Sequence, residues 1–203
     1  MKIYNEKAVS ISLESQFTNR EKNAQLRVIC GPMFSGKTKT LIRVINDYKA
    51  ANKSVIVFKP KIDNRYATDK VVSHDKDSVA AVEVSKPKQI VDLMHSADVV
   101  AIDEIQFFDE SIVKVCELIA EQGKTCIVSG LDLDYTAKPF GSMPEILAVA
   151  DEIIKLNSVC TFCSGHARFT HRISGESELV VLGEKNKYTP LCRSCYQEIT
   201  SYK

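Results

Sequence analysis

Residues 26–49 read LRVICGPMFSGKTKTLIRVINDYK. A short apolar run, LRVIC, leads into the loop GPMFSGKT, and apolar residues then recur at Leu41, Ile42, Ile45 and Tyr48, the spacing of one helical face. Gly31, Gly36, Lys37 and Thr38 fit G-x-x-x-x-G-K-[ST], a pattern expected between a strand and the opening of a helix. An exposed lysine in a glycine turn would satisfy the letters alone; the flanking strand and helix make the pattern specific. Glycines let the backbone wrap so that successive N–H groups face phosphate oxygens, and the helix beginning near Lys37 adds the positive end of its dipole. On this reading Gly31, Pro32, Met33, Phe34, Ser35, Gly36, Lys37 and Thr38 hold a nucleoside triphosphate, with Lys37 bridging its β- and γ-phosphates and Thr38 on Mg²⁺.

Outward from this loop the alternation continues. SVIVFKP (54–60), VVAIDE (99–104) and TCIVSGL (125–131) are continuous apolar runs of the kind buried on both faces of a parallel sheet. PKQIVDLMHSA (87–97) and SIVKVCELIAEQG (111–123) have helical periodicity. The pattern predicts an α/β domain over 25–157, with right-handed crossovers. Residues 1–24 are polar and aperiodic and read as a flexible N-terminal extension, and 158–203 as a small appended domain. The run ending in Asp103 and Glu104 brings two carboxylates to a strand's carboxyl end, where ligands of open α/β sheets lie. Asp103 is expected on the Mg²⁺ through water. Strand alternation would turn Glu104 away from it, free to act as a general base on the group that attacks the γ-phosphate.

Composition narrows the acceptor. Lys and Arg total 27 against 26 Asp and Glu, so bulk electrostatics give no reason to expect a nucleic-acid partner. No run is long and apolar enough for a membrane span or a signal peptide, and a cytoplasmic protein without a membrane partner is expected. A guanine-specific Asn-Lys-x-Asp element is missing: Asn186-Lys187 continues as Tyr188-Thr189, and Asn52-Lys53 as Ser54-Val55. A motor or helicase would need more chain and more basic surface. A small kinase fits best.

Seven cysteines include two C-x-x-C pairs, Cys160/Cys163 and Cys192/Cys195, the ligand set of a closed, structural Zn²⁺ site. A redox role is weaker, because neither pair reads as the opening of a helix after a strand. Cys30, Cys116 and Cys126 are flanked by apolar residues and are expected to be buried, while His166 and His171 read as surface residues. The long segment between the pairs mixes acids with bases and offers only Phe169 and Tyr188 for stacking. That favours a lid over a small molecule rather than a zinc ribbon gripping nucleic acid, the rival reading.

GPMFSGKT (31–38), DNRY (63–66), SHD (73–75), IDEIQFF (102–108), GLDLDYTAKPFG (130–141) and the cysteine pairs, in this order, resemble the thymidine kinases of the cellular, zinc-containing type. The resemblance spans roughly 26–196. It implies a P-loop (RecA-like) parallel-sheet domain with a small C-terminal zinc-binding lasso domain, and transfer of the γ-phosphoryl of ATP to the 5′-hydroxyl of thymidine. It also implies Glu104 as catalytic base, Asp103 as the magnesium-associated aspartate, and Arg65 offsetting charge on the transferred group. Asp63, Asn64 and Gln106 fall with the nucleotide contacts. The nucleoside is implied to lie among Met33, Phe107, Leu131, Tyr135, Phe140, Thr170 and Tyr188, beneath a loop of Leu179, Val180, Val181, Leu182 and Gly183. A homotetramer and feedback inhibition by thymidine triphosphate are implied only by the family. Three features depart from its pattern: Ile105 where a small residue is usual, Tyr135 where phenylalanine is commoner, and the N-terminal extension.

Overall fold

The computed structural model of the protein describes residues 26–61, 70–72, 78–173 and 187–201. The strands in chain order are β1 (Leu26–Cys30), β2 (Val55–Pro60), β3 (Lys70–Val72), β4 (Ser78–Ala80), β5 (Val82–Val84), β6 (Val99–Ile102), β7 (Thr125–Gly130) and β8 (Glu152–Lys155). Six of them lie side by side as β5, β2, β6, β7, β1, β8, and every neighbouring pair is parallel. β3 and β4 form a separate antiparallel pair. The helices of this part are α1 (Lys37–Ala50), α2 (Pro87–Leu93), α3 (Ser111–Glu121) and α4 (Met143–Val149).

Side-chain alternation sorts the sheet into two cores. Val28, Cys30, Val100, Ile102, Cys126 and Val128 face α2, α3 and α4. Their neighbours Ile29, Val99, Ala101 and Ile127 face Leu41, Ile42 and Ile45 of α1, together with Val71 and Val79 of the β3/β4 pair. Strand order runs one way from β1 to β2 and the other way from β5 onward, so the crossover through α1 covers one face and those through α2, α3 and α4 cover the other. Ligand crevices of such sheets open at carboxyl ends beside this reversal, which is where β1 and β6 deliver the phosphate loop and Asp103.

The first strand and α1 match the sequence reading to within a residue. α2 is shorter than its periodicity predicts: beyond Leu93 the chain turns, with the Met94 N–H donating to Ile90 O and the Ala97 N–H to Met94 O. α4 and β8 had no clear sequence signal; β8 is a four-residue edge strand with only two apolar residues, Ile153 and Ile154, between Glu152 and Lys155.

Beyond the sheet, β9 (Ser158–Val159) pairs with β10 (His166–Ala167), β11 (Phe169–Arg172) pairs with β12 (Tyr188–Leu191), and α5 (Arg193–Ser201) follows. Among the described residues, their shared core has Cys160, Ala167 and Leu191 fully buried, with Cys192, Cys195, Tyr196 and Ile199 packed around them. A core this small needs a staple.

Candidate active site

The loop between β1 and α1 depends on two glycines. Gly31 has φ 144°, and a Cβ there would collide with the Leu156 carbonyl oxygen. Gly36 caps α1 in the left-handed conformation at φ 82°. The appended part braces the loop: the Met33 N–H donates to Thr170 Oγ1 at 2.9 Å, and Ser158 Oγ donates to the Phe34 carbonyl at 3.1 Å. Lys37 is buried, and its Nζ donates to Pro32 O at 2.9 Å. Burial pushes its pKa down, while the charges of Glu104, Asp103 and Asp132 act to raise it.

Asp103 follows β6 directly, its N–H donating to Phe58 O at 2.9 Å. One carboxylate oxygen accepts from Ser129 Oγ at 2.6 Å and the other from Thr38 Oγ1 at 3.4 Å, joining β6, β7 and α1. Burial, with Glu104 as a second cause, pushes the Asp103 pKa from 3.8 up to about 6. Ionised Asp103 is therefore disfavoured by folding: its contribution to stability is greatest below pH 3.8 and is lost as pH rises through about 6. Asp103→Asn, which keeps an acceptor for Ser129, should raise the melting temperature of metal-free protein at about pH 7.5. Thermal melts across pH should show that advantage shrinking to nothing near pH 4; an advantage independent of pH would contradict the burial account.

Glu104 departs from the expectation of alternation. The strand ends at Ile102, and Glu104 adopts φ 52° and ψ 40° as the cap of a short 3₁₀ turn over Ile105–Phe107. The two carboxylates therefore are not separated by strand geometry: the Glu104 charge acts on Asp103, and both act on Lys37. Gln106 Nε2 donates to Glu104 Oε2 at 2.6 Å, and Gln106 Oε1 accepts the Leu131 N–H at 3.0 Å. Phe107 meets Phe140 edge to face with centroids 5.5 Å apart. Between Leu131 and Phe140 the chain is shaped by Asp134, whose Oδ1 accepts from Thr136 N, Thr136 Oγ1 and Lys138 N at 2.8, 2.7 and 3.1 Å.

Tyr135, Tyr188 and Thr170 gather around β11. The Arg172 guanidinium lies 3.7 Å from the Tyr135 ring centroid, and its Nη2 donates to the Tyr188 hydroxyl at 2.8 Å. Buried Thr170 joins this wall to the phosphate loop through Met33. Asp63, Asn64, Arg65, the Leu179–Gly183 loop and the N-terminal extension lie outside the described residues.

The four paired cysteines converge, their sulfurs all within 4.8 Å of one another and Cys163 Sγ 3.6 Å from Cys192 Sγ. Tetrahedral zinc with bonds of about 2.3 Å spaces its sulfurs about 3.8 Å apart, so the donor set and its spacing fit that ion. The sequence reading is corrected in one respect: Cys192 does follow a strand and lead into α5, and the Cys195 N–H lies 3.5 Å from Cys192 Sγ. Four converging thiols still suit a closed metal site better than a two-cysteine redox pair. Cys30, Cys116 and Cys126 are buried as expected, and His166 and His171 are not in the thiol cluster.

Comparison with known proteins agrees along the length of the chain. The family profile described as thymidine kinase matches residues 24–196. The chain belongs to the thymidine kinase family. Its relatives include thymidine kinases of Porphyromonas gingivalis, 42% identical over 93% of both chains, and of Bacteroides thetaiotaomicron, 43% identical over 90% of this chain and 92% of that one. That of Rhodothermus sp. is 45% identical over 85% of this chain and 81% of the relative. The sequence reading of this thymidine kinase family member missed Arg172 and Ser129. An arginine between two aromatic walls and a serine at a strand's carboxyl end have no local signature; only the β11–β12 register and the β6–β7 pairing bring them to the site.

Proposed function

We propose that this protein transfers the γ-phosphoryl group of ATP to the 5′-hydroxyl of thymidine, giving thymidine monophosphate and ADP. Family membership over residues 24–196 supports the reaction. The observation that carries the proposed mechanism is Glu104, held by Gln106 beside Asp103 and Lys37 at the mouth of the phosphate loop. Glu104 accepts the proton of the attacking hydroxyl as its oxygen bonds to phosphorus and the bond from phosphorus to the bridging oxygen of ADP breaks. Lys37 and the loop N–H groups stabilise charge on the phosphoryl oxygens. Asp103 and Thr38 offer hard oxygen ligands suited to Mg²⁺, which when bound neutralises phosphate charge. Arg65, with Asp63 and Asn64, is proposed for the phosphates on the resemblance alone.

The nucleoside is proposed to lie among Phe107, Leu131, Tyr135, Phe140, Thr170 and Tyr188, closed by Leu179–Gly183. The Arg172 contacts to Tyr135 and Tyr188 support a fixed wall there. Arg172→Met should raise the thymidine KM about tenfold through loosening of both rings, with the ATP KM nearly unchanged; equal change in both KM values would contradict this placement. The four thiols are proposed to hold structural zinc, and seven free cysteines accord with the reducing cytoplasm as the compartment. Among the described residues no helix is long and apolar enough to cross a membrane. A homotetramer and inhibition by thymidine triphosphate rest on the resemblance; a monomeric mass in light scattering with full activity, or insensitivity to the triphosphate, would remove each.

A nucleoside panel tests the function. With Mg-ATP, thymidine should drive ADP release, deoxyuridine less so and purine nucleosides poorly. ADP release that ignores nucleosides and responds to DNA or RNA would favour the nucleic-acid reading instead.

A further inference from the structure

Gln106 is buried, and both ends of its amide are engaged by the protein. Its NH₂ donates to Glu104 Oε2 at 2.6 Å and its carbonyl oxygen accepts the Leu131 N–H at 3.0 Å. Two glycines make room for it. A Cβ at Gly130 would lie 2.6 Å from Gln106 Oε1, and one at Gly141, where φ is 51°, would collide with the Gln106 main-chain carbonyl. The resemblance grouped this glutamine with the nucleotide contacts, whereas its observed bonds run to a carboxylate and to the main chain of the 131–140 segment.

We propose that Gln106 is a positioning residue for Glu104, fixing the direction of its carboxylate and tying it to the Leu131 main chain at the nucleoside wall. This rests on the reading of Glu104 as the base. Glutamate has three side-chain torsions, and Glu104 stands first among the charges acting on the Lys37 ammonium. Without a competing partner its carboxylate would be drawn toward that cation and away from an incoming hydroxyl. A short, charge-assisted amide bond opposes this pull and removes the rotational freedom that a positioned base cannot afford. The Leu131 N–H in turn anchors the amide, so the orientation of Glu104 depends on the segment that carries Leu131.

The test is a double-mutant cycle in steady-state kinetics on the full chain. Gln106→Met should lower kcat about 10- to 100-fold with the KM values for ATP and thymidine changed less than about threefold. In a Glu104→Gln background the same change should lower kcat no further, whereas a structural role would depress both backgrounds alike. Gln106→Asn, which keeps the polarity but is one methylene too short to reach both partners, should repeat the loss if the methionine variant does not fold. If Glu104→Gln loses turnover while Gln106→Met and Gln106→Asn keep theirs, the positioning role is overturned and the base stands. A raised KM for ATP at unchanged kcat would return Gln106 to the nucleotide. Near-normal kcat in Glu104→Gln alone would remove the base, and this inference with it.

Discussion

Replacing Glu104 with glutamine should lower kcat about 10²- to 10⁴-fold while thymidine and ATP still bind. The expected loss corresponds to about 3–5 kcal/mol of transition-state stabilisation. The substitution conserves shape and a hydrogen-bonding end, so Gln106 can still contact it and the backbone at φ 52° is undisturbed. An amide cannot accept the hydroxyl proton, and this difference bears on the transition state far more than on ground-state binding. Binding of both ligands by calorimetry, set beside turnover, separates the two. Lost binding would point to a structural role for the carboxylate.

Losing the metal at the thiol cluster should weaken thymidine about tenfold or more while ATP binding falls much less. Cys192 directly follows β12, so an ion joining it to Cys160, Cys163 and Cys195 fixes β12, and with it Tyr188 opposite Arg172 and Pro190 opposite Thr170. Among the described residues, α5 contributes no buried residue and three side chains of this core are fully buried. Coordination of an ion by the four thiols would therefore supply the strongest cohesion there. The phosphate loop is supported independently by β1, Gly31 and α1, and it touches the appended part through Thr170 and Ser158. Cys192→Ser, or a strong chelator, should thus reduce thymidine affinity and kcat/KM before nucleotide affinity. Titration of both ligands into holo and metal-depleted protein checks this. Equal losses with a lowered melting temperature would mean global destabilisation, and purified protein without zinc by elemental analysis would remove the ion from the account.

What was legible in the sequence follows from how locally each feature is encoded. The phosphate loop and β6 with its carboxylates are contiguous stretches whose apolar runs and glycines state their own geometry. Four cysteines announce a ligand set at any separation. Long-range partners were not legible: Ser129 meets Asp103 through strand pairing, and Arg172 meets Tyr135 across unconnected segments. The conformation of Glu104 was misjudged because alternation was carried two residues past the end of β6, where the chain had already turned. Ile105 proves to be fully buried, beside Gly130, which gives that departure from the family pattern a packing role.

The central claim, that Glu104 deprotonates thymidine for attack on the γ-phosphate, is tested most directly by single-turnover transfer of label from [γ-³²P]ATP to thymidine. The account predicts rapid formation of labelled thymidine monophosphate by the unaltered protein, and loss of that step in Glu104→Gln at saturating thymidine and Mg-ATP. Label appearing only as inorganic phosphate, or transfer by Glu104→Gln at nearly the normal rate, would contradict it.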